Sequence, residues 1–262
     1  MNGLPSGTHL VLIPSYNSGR LLLETVRDAL RQWRPVWVVV DGSTDGSERP
    51  ILALGAAEPG LRVIVRPTNG GKGAAVLSGA LAALAAGFSH ALVMDADGQH
   101  PAERIPAFME ASAQDPAAMV LGRPVFGPEA PAVRLQGRKV SVGLVRLEIL
   151  GSGIDDPLFG FRVYPLAGRV AAMARTRGAR RYDFDPEIAV RLFWAGTPAL
   201  NLPAACRYRA REEGGISHFH YVRDNVRMIG LHARLLLRLL TCWPAVRRLR
   251  KARGVPEVQT QP

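Results

Sequence analysis

Two aspartates one residue apart, Asp95 and Asp97, follow an apolar run at residues 91–94. An apolar run that ends in acids, a glycine and a proline suited to the first turn of a helix is typical of a buried strand that delivers carboxylates to a sheet edge. Two close carboxylates repel each other unless a cation lies between them, so this spacing favours Mg²⁺ or Mn²⁺ bridged to a phosphate-bearing substrate. So short a motif also occurs in loops by chance, so the surrounding elements must decide between a metal site and a chance pair of acids.

The surrounding elements alternate strand-like and helix-like patterns, which predicts an α/β fold with a mainly parallel, doubly wound sheet and helices on both faces. Ligands of such sheets bind at the carboxyl ends of the strands. Four polar or glycine-rich loops follow those ends, so we expect them to converge on one crevice. Strands are predicted at residues 10–13, 36–40, 62–65, 92–94 and 119–123, and the loops are residues 14–17, 41–45, 69–73 and 95–101.

Each of the other loops also has a purely structural interpretation. Asp41 and Gly42 are residue types that tight turns prefer for backbone reasons. The glycine loop at residues 69–73 has neither P-loop nor dinucleotide-binding spacing, and Lys72 within it could simply be solvated. Glycines on both sides of a lysine, however, would let the backbone approach a diphosphate beside an acidic metal site.

Four motifs occur in a fixed order within residues 9–125. They are Ile-Pro-Ser-Tyr-Asn at 13–17, Val-Asp-Gly-Ser-Thr-Asp at 40–45, Asn-Gly-Gly-Lys-Gly at 69–73 and Asp-Ala-Asp-Gly-Gln-His-Pro at 95–101. In this order they resemble the family-two inverting glycosyltransferases, and most of all their polyprenyl-phosphate (dolichol-phosphate) mannosyltransferase and glucosyltransferase branch. The resemblance implies a Rossmann-like GT-A fold, a UDP- or GDP-sugar donor and Mn²⁺ or Mg²⁺ as cofactor.

The resemblance also assigns roles to individual side chains. Asp97, helped by Asp95, would hold the metal and so take part in catalysis, and Asp41 with residues 14–17 would bind the base and ribose of the donor. The residues assigned to the donor are Pro14, Tyr16, Asn17, Asp41, Gly71, Lys72, Asp95 and Ala96.

Three later segments extend the resemblance less closely. The segment around Asp156 resembles the branch's Asp-Pro-x-x-Gly-Phe-Arg sequence. A second segment, which usually supplies an acid near the acceptor, offers both Asp185 and Glu187. Residues 214–219 are similar in position to the family's Gly-x-Ser-Lys loop, with His218 where lysine is common.

The acceptor decides whether the reaction needs a general base. A lipid phosphate is already ionised, so it needs no base, and Arg123, Arg134 and Arg138 would hold it. An alcohol acceptor needs a base to take its proton, and Asp156 or Asp185 becomes the candidate. The sequence leaves both alternatives open, and it predicts transfer with inversion to a lipid-linked acceptor in either case.

The C-terminal region is predicted as an amphipathic helix over residues 220–243, ended by Pro244. Four arginines lie within about 60° on a helical wheel, and most of the remaining circumference is apolar. A basic cluster at residues 247–253 follows, of a kind that binds anionic lipid head groups. We therefore expect the helix to lie on an anionic membrane surface; the alternative is a core-facing helix with a solvated basic tail. The arginines are Arg223, Arg227, Arg234 and Arg238.

These patterns divide the chain into a glycosyltransferase domain at residues 1–215, a membrane-surface segment at 216–253 and a disordered tail at 254–262. We expect neither a signal peptide nor a spanning helix, because no uninterrupted apolar run reaches about 18 residues. Cys206 and Cys242 lack metal-ligand spacing, which suits free thiols in a reducing cytosol. The predicted location is cytoplasmic, peripheral on the inner face of the cytoplasmic membrane.

The net charge of +11 predicts attraction to polyanions and raises two other classes of protein. A nucleotidyltransferase that makes sugar nucleotides would show an N-terminal glycine-rich loop with Arg and Lys, which residues 13–17 lack. A nucleic-acid-binding protein would combine a basic stripe with aromatic stacking groups, whereas aromatics are 6% of this chain. The predicted partners are thus a nucleotide-sugar donor, a lipid-linked acceptor and an anionic membrane surface, with no nucleic acid.

Overall fold

The structure is a computed structural model that describes residues 6–128, 130, 132–176, 178, 180–207 and 221–252, without the side chains of residues 132–134, 221 and 222. The strands are β1 (His9–Ser15), β2 (Val36–Asp41), β3 (Leu61–Arg66), β4 (His90–Val93), β5 (Met119–Phe126), β6 (Arg162–Pro165) and β7 (Ala199–Cys206). The helices are α1 (Gly19–Gln32), α2 (Glu48–Ala57), α3 (Lys72–Ala85), α4 (Ile105–Gln114), α5 (Ala132–Glu148), α6 (Leu166–Ala174), α7 (Phe184–Trp194) and α8 (Tyr221–Ala252), and a short 3₁₀ helix spans Ala102–Arg104.

In the described residues, seven strands form one sheet in the order β3-β2-β1-β4-β6-β5-β7. β1 lies between β2 and β4 and is parallel to both, and β3 is parallel to β2. β6 runs antiparallel between β4 and β5, and β7 lies parallel to β5 at the edge. The prediction of an α/β fold with a mainly parallel sheet is therefore confirmed, and all five predicted strands are present.

Apolar side chains on the two faces of the sheet form two cores, each covered by helices. One core joins the sheet to α3, α6, α7 and α8, and the other joins it to α1 and α4. The strand β2, which is buried along its whole length, shows why a near-continuous valine run suits this position: both of its faces meet a core. The prediction of helices on both faces is confirmed.

The strand β5 continues beyond its predicted end at residue 123. The sequence did not predict β7, and β7 pairs with β5 from Met119 opposite Ala199 to Phe126 opposite Cys206. A neighbouring strand supplies hydrogen-bond partners that keep the chain extended, even through a proline at position 124.

The helix α8 carries two apolar faces. Its inner face packs on the core that α7 also covers, and the buried residues are Leu231, Leu235, Leu239 and Val246. Its outer face exposes between 44% and 73% of five large apolar residues: Val226, Ile229, Leu237, Leu240 and Trp243. The inner face agrees with the core-facing alternative, and a membrane role for the outer face stays a prediction. By length and composition alone, Arg223–Lys251 is long and apolar enough to cross a membrane, with 28% of its apolar window buried in the fold.

Pro244 does not end α8, contrary to the prediction, because the helix continues to Ala252. The turns beyond the proline are anchored to the fold. Arg250 donates hydrogen bonds to the carbonyl oxygens of Ile149, at 3.3 Å, and Ser152, at 2.9 Å. These contacts stabilise a helical turn that has lost one backbone hydrogen bond at the proline.

A buried pair ties α8 to α5: Oε1 of Glu148 lies 2.7 Å from Nδ1 of His232. Burial raises the pKa of Glu148, although the contact with His232 opposes this shift. The helices α5 and α8 therefore form one side of the fold, and α5 also exposes Val140 and Leu147 on its outer surface.

Candidate active site

The first two loops lie together at the carboxyl edge of the sheet. The backbone amide of Asn17 donates to the Ser43 hydroxyl at 3.0 Å, and the Asn17 side-chain oxygen accepts from the backbone amide of Thr44 at 2.7 Å. Asn17 adopts a positive φ of 46°, a conformation that asparagine tolerates better than most residues. Pro14 lies within β1, and Tyr16 follows directly after that strand.

Asp41 joins the second loop to the glycine loop. Its carboxylate is 2% exposed, accepts backbone hydrogen bonds from Gly70 at 3.1 Å and Gly71 at 2.7 Å, and lies 2.9 Å from Nη1 of Arg66. Gly71 has a φ of 93°, and a Cβ there would lie 2.4 Å from the backbone oxygen of Arg180. Asp41 thus holds the glycine loop in a shape that only glycine allows at position 71.

Lys72 follows at the first turn of α3 and reaches two acids. Its Nζ lies 2.7 Å from Oδ1 of Asp95 and 2.7 Å from Oδ2 of Asp185. Burial alone would lower the pKa of Lys72, but the carboxylates of Asp185 and Asp95 outweigh burial and raise that pKa. The glycine loop, the acid pair and the start of α7 therefore meet at one ammonium group.

The two members of the acid pair differ in their surroundings. Burial would raise the pKa of Asp95, but Lys72 holds it below its usual value. Burial, with the charge of Asp95 as the second cause, raises the pKa of Asp97 to about 6. Oδ1 of Asp97 accepts a backbone hydrogen bond from Gln99 at 3.0 Å. The ammonium compensates Asp95, and Asp97 carries the excess negative charge.

The chemistry of this pair fits Mg²⁺ or Mn²⁺. Both ions prefer oxygen ligands and are commonly held by one or two carboxylates together with substrate phosphates and water. Among the residues that the structure describes, no group of three or more His, Cys, Asp or Glu side chains could hold a metal alone. Asp95 and Asp97 are thus suited to a metal shared with a donor diphosphate, and Ala96 lies buried between them.

Asp156 is occupied by several donors. Its Oδ1 accepts backbone hydrogen bonds from Leu158 and Phe159, both at 2.8 Å, and forms an ion pair with Nη1 of Arg138. The guanidinium of Arg138 also lies 5.1 Å from the ring centre of Phe126. These contacts stabilise the loop around Asp156 and engage Arg138 in an ion pair with it.

Of the other predicted acceptor residues, the structure describes the side chain of Arg123. Arg123 is 59% exposed, with its Nη1 3.9 Å from Oδ2 of Asp155. Arg134 lies on α5, and its side chain is outside the described residues, as are residues 214–219 with His218. Their roles stay predictions.

The structure separates the two competing acids on α7. Asp185 contacts Lys72 and therefore belongs to the site. Glu187 is fully buried elsewhere, where its Oε1 accepts from the Thr176 hydroxyl at 2.6 Å and pairs with Nη2 of Arg191 at 2.7 Å.

Two residues within the quoted motifs have structural roles that sequence reasoning missed. Arg162 is fully buried and donates to the backbone oxygens of Phe159 at 2.6 Å, Asp156 at 3.1 Å and Asp185 at 2.8 Å. His100 accepts a hydrogen bond at Nδ1 from the backbone amide of Asp95 at 2.9 Å, and burial lowers its pKa to about 4. The signal in the sequence that could have identified Arg162 and His100 was their place in motifs that resemble the family.

The fold and the strand-end acids beside a glycine loop define a glycosyltransferase of the GT-A class. The crystal structure of glucosyl-3-phosphoglycerate synthase from Mycobacterium tuberculosis, in complex with Mn²⁺, UDP-glucose and phosphoglyceric acid, has the same fold. The TM-score is 0.57 at 18% identity, over 97% of this chain and 82% of that chain. The likeness confirms the predicted architecture.

The family model described as glycosyl transferase family 2 matches residues 10–174, and this chain belongs to that family. It is 29% identical to the polyprenol monophosphomannose synthase of Mycolicibacterium smegmatis over 96% of this chain and 92% of the relative. It is 30% identical to the undecaprenyl-phosphate mannosyltransferase of Micrococcus luteus over 74% of this chain and 81% of the relative. The predicted resemblance to the polyprenyl-phosphate mannosyltransferase branch is confirmed.

Replacing Asp41 by Asn should lower the free energy of unfolding by about 1–3 kcal/mol, because it removes a buried charged acceptor from the glycine loop. It should also weaken binding of UDP or GDP more than binding of the free nucleoside, since the glycine loop faces the diphosphate in our assignment. Thermal unfolding and calorimetry measure the two effects. Asp115→Asn, at the end of α4, is the matched control. If stability is unchanged and binding of the nucleoside diphosphate and of the free nucleoside is weakened equally, Asp41 instead recognises the base, as expected from the sequence.

Proposed function

We propose that this glycosyltransferase moves a hexosyl group, with inversion, from a UDP- or GDP-sugar to a polyprenyl phosphate at a membrane surface. The observation that carries the proposal is the meeting of Asp95, Asp97 and Lys72 beside the glycine loop. A divalent ion held by Asp95 and Asp97 would neutralise the leaving diphosphate. The two polyprenyl-phosphate mannosyltransferases among the relatives support the choice of acceptor.

The contacts of Asp156 favour a phosphate acceptor over an alcohol. Its Oδ1 is paired with Arg138 and accepts two backbone hydrogen bonds, so this oxygen is not free to take a proton from an alcohol. Of the second candidate base, Asp185, one oxygen is paired with Lys72 and the other has no hydrogen-bond partner among the described residues. A phosphate oxygen is already ionised and needs no proton acceptor. Arg123, exposed near Asp155, has fewer competing contacts than Arg138.

We further propose that α8 holds the enzyme on the inner face of the cytoplasmic membrane. Its outer face combines the exposed residues Ile229, Leu237 and Leu240 with the adjacent exposed arginines Arg234 and Arg238. Apolar side chains beside cations suit the interface of an anionic bilayer. A surface-bound enzyme would meet a lipid-linked acceptor without removing it from the membrane.

Asp97→Asn should lower transfer by about 100-fold or more, because metal stabilisation of developing charge is worth several kcal/mol and each 1.4 kcal/mol is tenfold. The assay follows radiolabelled sugar from UDP- and GDP-sugars into polyprenyl phosphate or polyprenol, with Mn²⁺. Wild type should label the phosphate and not the alcohol. Asp115→Asn, at the end of α4, is the matched control. Equal labelling of the alcohol, or full activity of Asp97→Asn, would contradict the proposal.

Replacing Ile229, Leu237 and Leu240 together by Gln should weaken binding to phosphatidylglycerol vesicles by roughly 1,000-fold or more, since each buried aliphatic side chain contributes roughly 1.5–3 kcal/mol and each 1.4 kcal/mol is tenfold. Cosedimentation measures binding, and moderate salt should release part of the wild type because it screens the arginines but not the apolar contacts. The control replaces exposed Leu52 and Leu81 by Gln. Equal binding by both variants would contradict a membrane role for the outer face of α8.

A further inference from the structure

We propose that the ammonium group of Lys72 serves as an internal cation of the metal site, which is released when the donor arrives. Metal and nucleoside diphosphate would then bind cooperatively, because each favours the movement that the other needs. This inference rests on the proposed metal-dependent use of a nucleotide donor. It concerns the order and coupling of binding, and the transfer chemistry is unchanged by it.

The ammonium of Lys72 already lies where a metal ion would need Asp95. Nζ of Lys72 lies 2.7 Å from one oxygen of Asp95, which is one of the two carboxylates assigned to the metal. It lies equally close to Asp185 on the other side. A Cβ at Gly160 would lie 2.5 Å from Nζ and 3.2 Å from Oδ2 of Asp95, so the glycine leaves room for this contact. The ammonium therefore lies between two carboxylates, one of which is assigned to the metal.

The balance of charges around Lys72 affects the binding of a free metal ion. The ammonium contacts Asp95 and Asp185 directly, whereas Asp97 adds a third negative charge beside Asp95. A divalent ion between Asp95 and Asp97 would supply the missing charge. It would also repel the ammonium that already contacts Asp95, because like charges this close are unfavourable even with partial screening. Binding of free metal is therefore opposed as long as Lys72 stays in place.

Binding of the donor would remove the repulsion between Lys72 and the metal ion. Lys72 is the first residue of α3 and directly follows Gly71, on the loop assigned to the diphosphate. A diphosphate there offers the ammonium new anionic partners, and the flexible lysine side chain can reach them by rotation about its own bonds. The N-terminus of α3 favours an anion at the same place. The diphosphate therefore withdraws Lys72 from Asp95 while adding oxygen ligands for the metal.

Asp185 keeps positive neighbours after such a movement. Arg162 donates to its backbone oxygen at 2.8 Å. Arg169 is fully buried, and in the described part of the chain its guanidinium nitrogens have no hydrogen-bond partner, although it lies 4.9 Å from the ring centre of Tyr164. Burial lowers the pKa of Arg169 to about 10, and the charge of Asp185 opposes that shift. Asp185 can thus lose Lys72 without becoming an isolated buried charge.

The test compares Mn²⁺ binding by wild type and Lys72→Met with electron paramagnetic resonance of free Mn²⁺, with and without UDP or GDP. Lys139→Met, which removes an exposed lysine on α5, is the matched control. Without nucleotide, Lys72→Met should bind Mn²⁺ about tenfold tighter than wild type and the control. The nucleotide should strengthen Mn²⁺ binding by about 5- to 150-fold in wild type, the usual range of coupling between sites, and much less in Lys72→Met.

Thermal unfolding without nucleotide distinguishes a change in Mn²⁺ binding from simple destabilisation of the variant. Mn²⁺ should raise the melting temperature of Lys72→Met and leave that of wild type nearly unchanged, since a ligand stabilises the state that binds it. If wild type binds Mn²⁺ with nucleotide but Lys72→Met gains no affinity for free Mn²⁺, Lys72 is a fixed ion-pair partner and this inference alone is wrong. If wild type binds Mn²⁺ with neither UDP nor GDP, both the inference and the metal-dependent function are wrong.

Discussion

The site depends on one ammonium group placed among carboxylates. Lys72 joins Asp95 at the end of β4 to Asp185 at the start of α7, and these residues come from three distant parts of the chain. Without a cation at this place, whether the ammonium or a metal ion, the acids would repel each other in a buried setting. The same contact leaves Asp97 with excess negative charge, which is the property that a divalent ion and a diphosphate can use together. In the proposed function, structural cohesion and metal affinity therefore have a common electrostatic origin.

A second set of contacts surrounds this centre and restricts its chemistry. Arg162 binds the backbone oxygens of the segments that carry Asp156 and Asp185, so both segments are held at fixed positions. Arg138 then neutralises Asp156. Because Asp156 already accepts these contacts, the arrangement suits an acceptor that brings its own negative charge. A lipid phosphate is such an acceptor, and the outward apolar face of α8 would keep the enzyme where that lipid is found.

The sequence predicted the first half of the fold well, because its strands are buried apolar runs and each is followed by a polar loop. It missed β6 and β7: β6 has only four residues, and β7 is defined by pairing with a distant strand. Asp185 and Glu187 could not be separated from sequence, since residues two apart on a helix point to different sides and only packing identifies the side that faces the site. Similarly, a helical wheel shows that α8 is apolar on most sides, but only the neighbouring helices determine which apolar face is covered.

In the proposed function, the acid pair and the donor diphosphate share one metal ion. Electron-nuclear double resonance of protein-bound Mn²⁺ with UDP or GDP can detect such a shared ion, using protein labelled with ¹³C in the aspartate carboxylates. We expect hyperfine coupling of the same Mn²⁺ to ³¹P of the nucleotide and to ¹³C of aspartate. Coupling to ³¹P without ¹³C, or to ¹³C without ³¹P, would contradict it, because the ion would then belong to the nucleotide alone or to the protein alone.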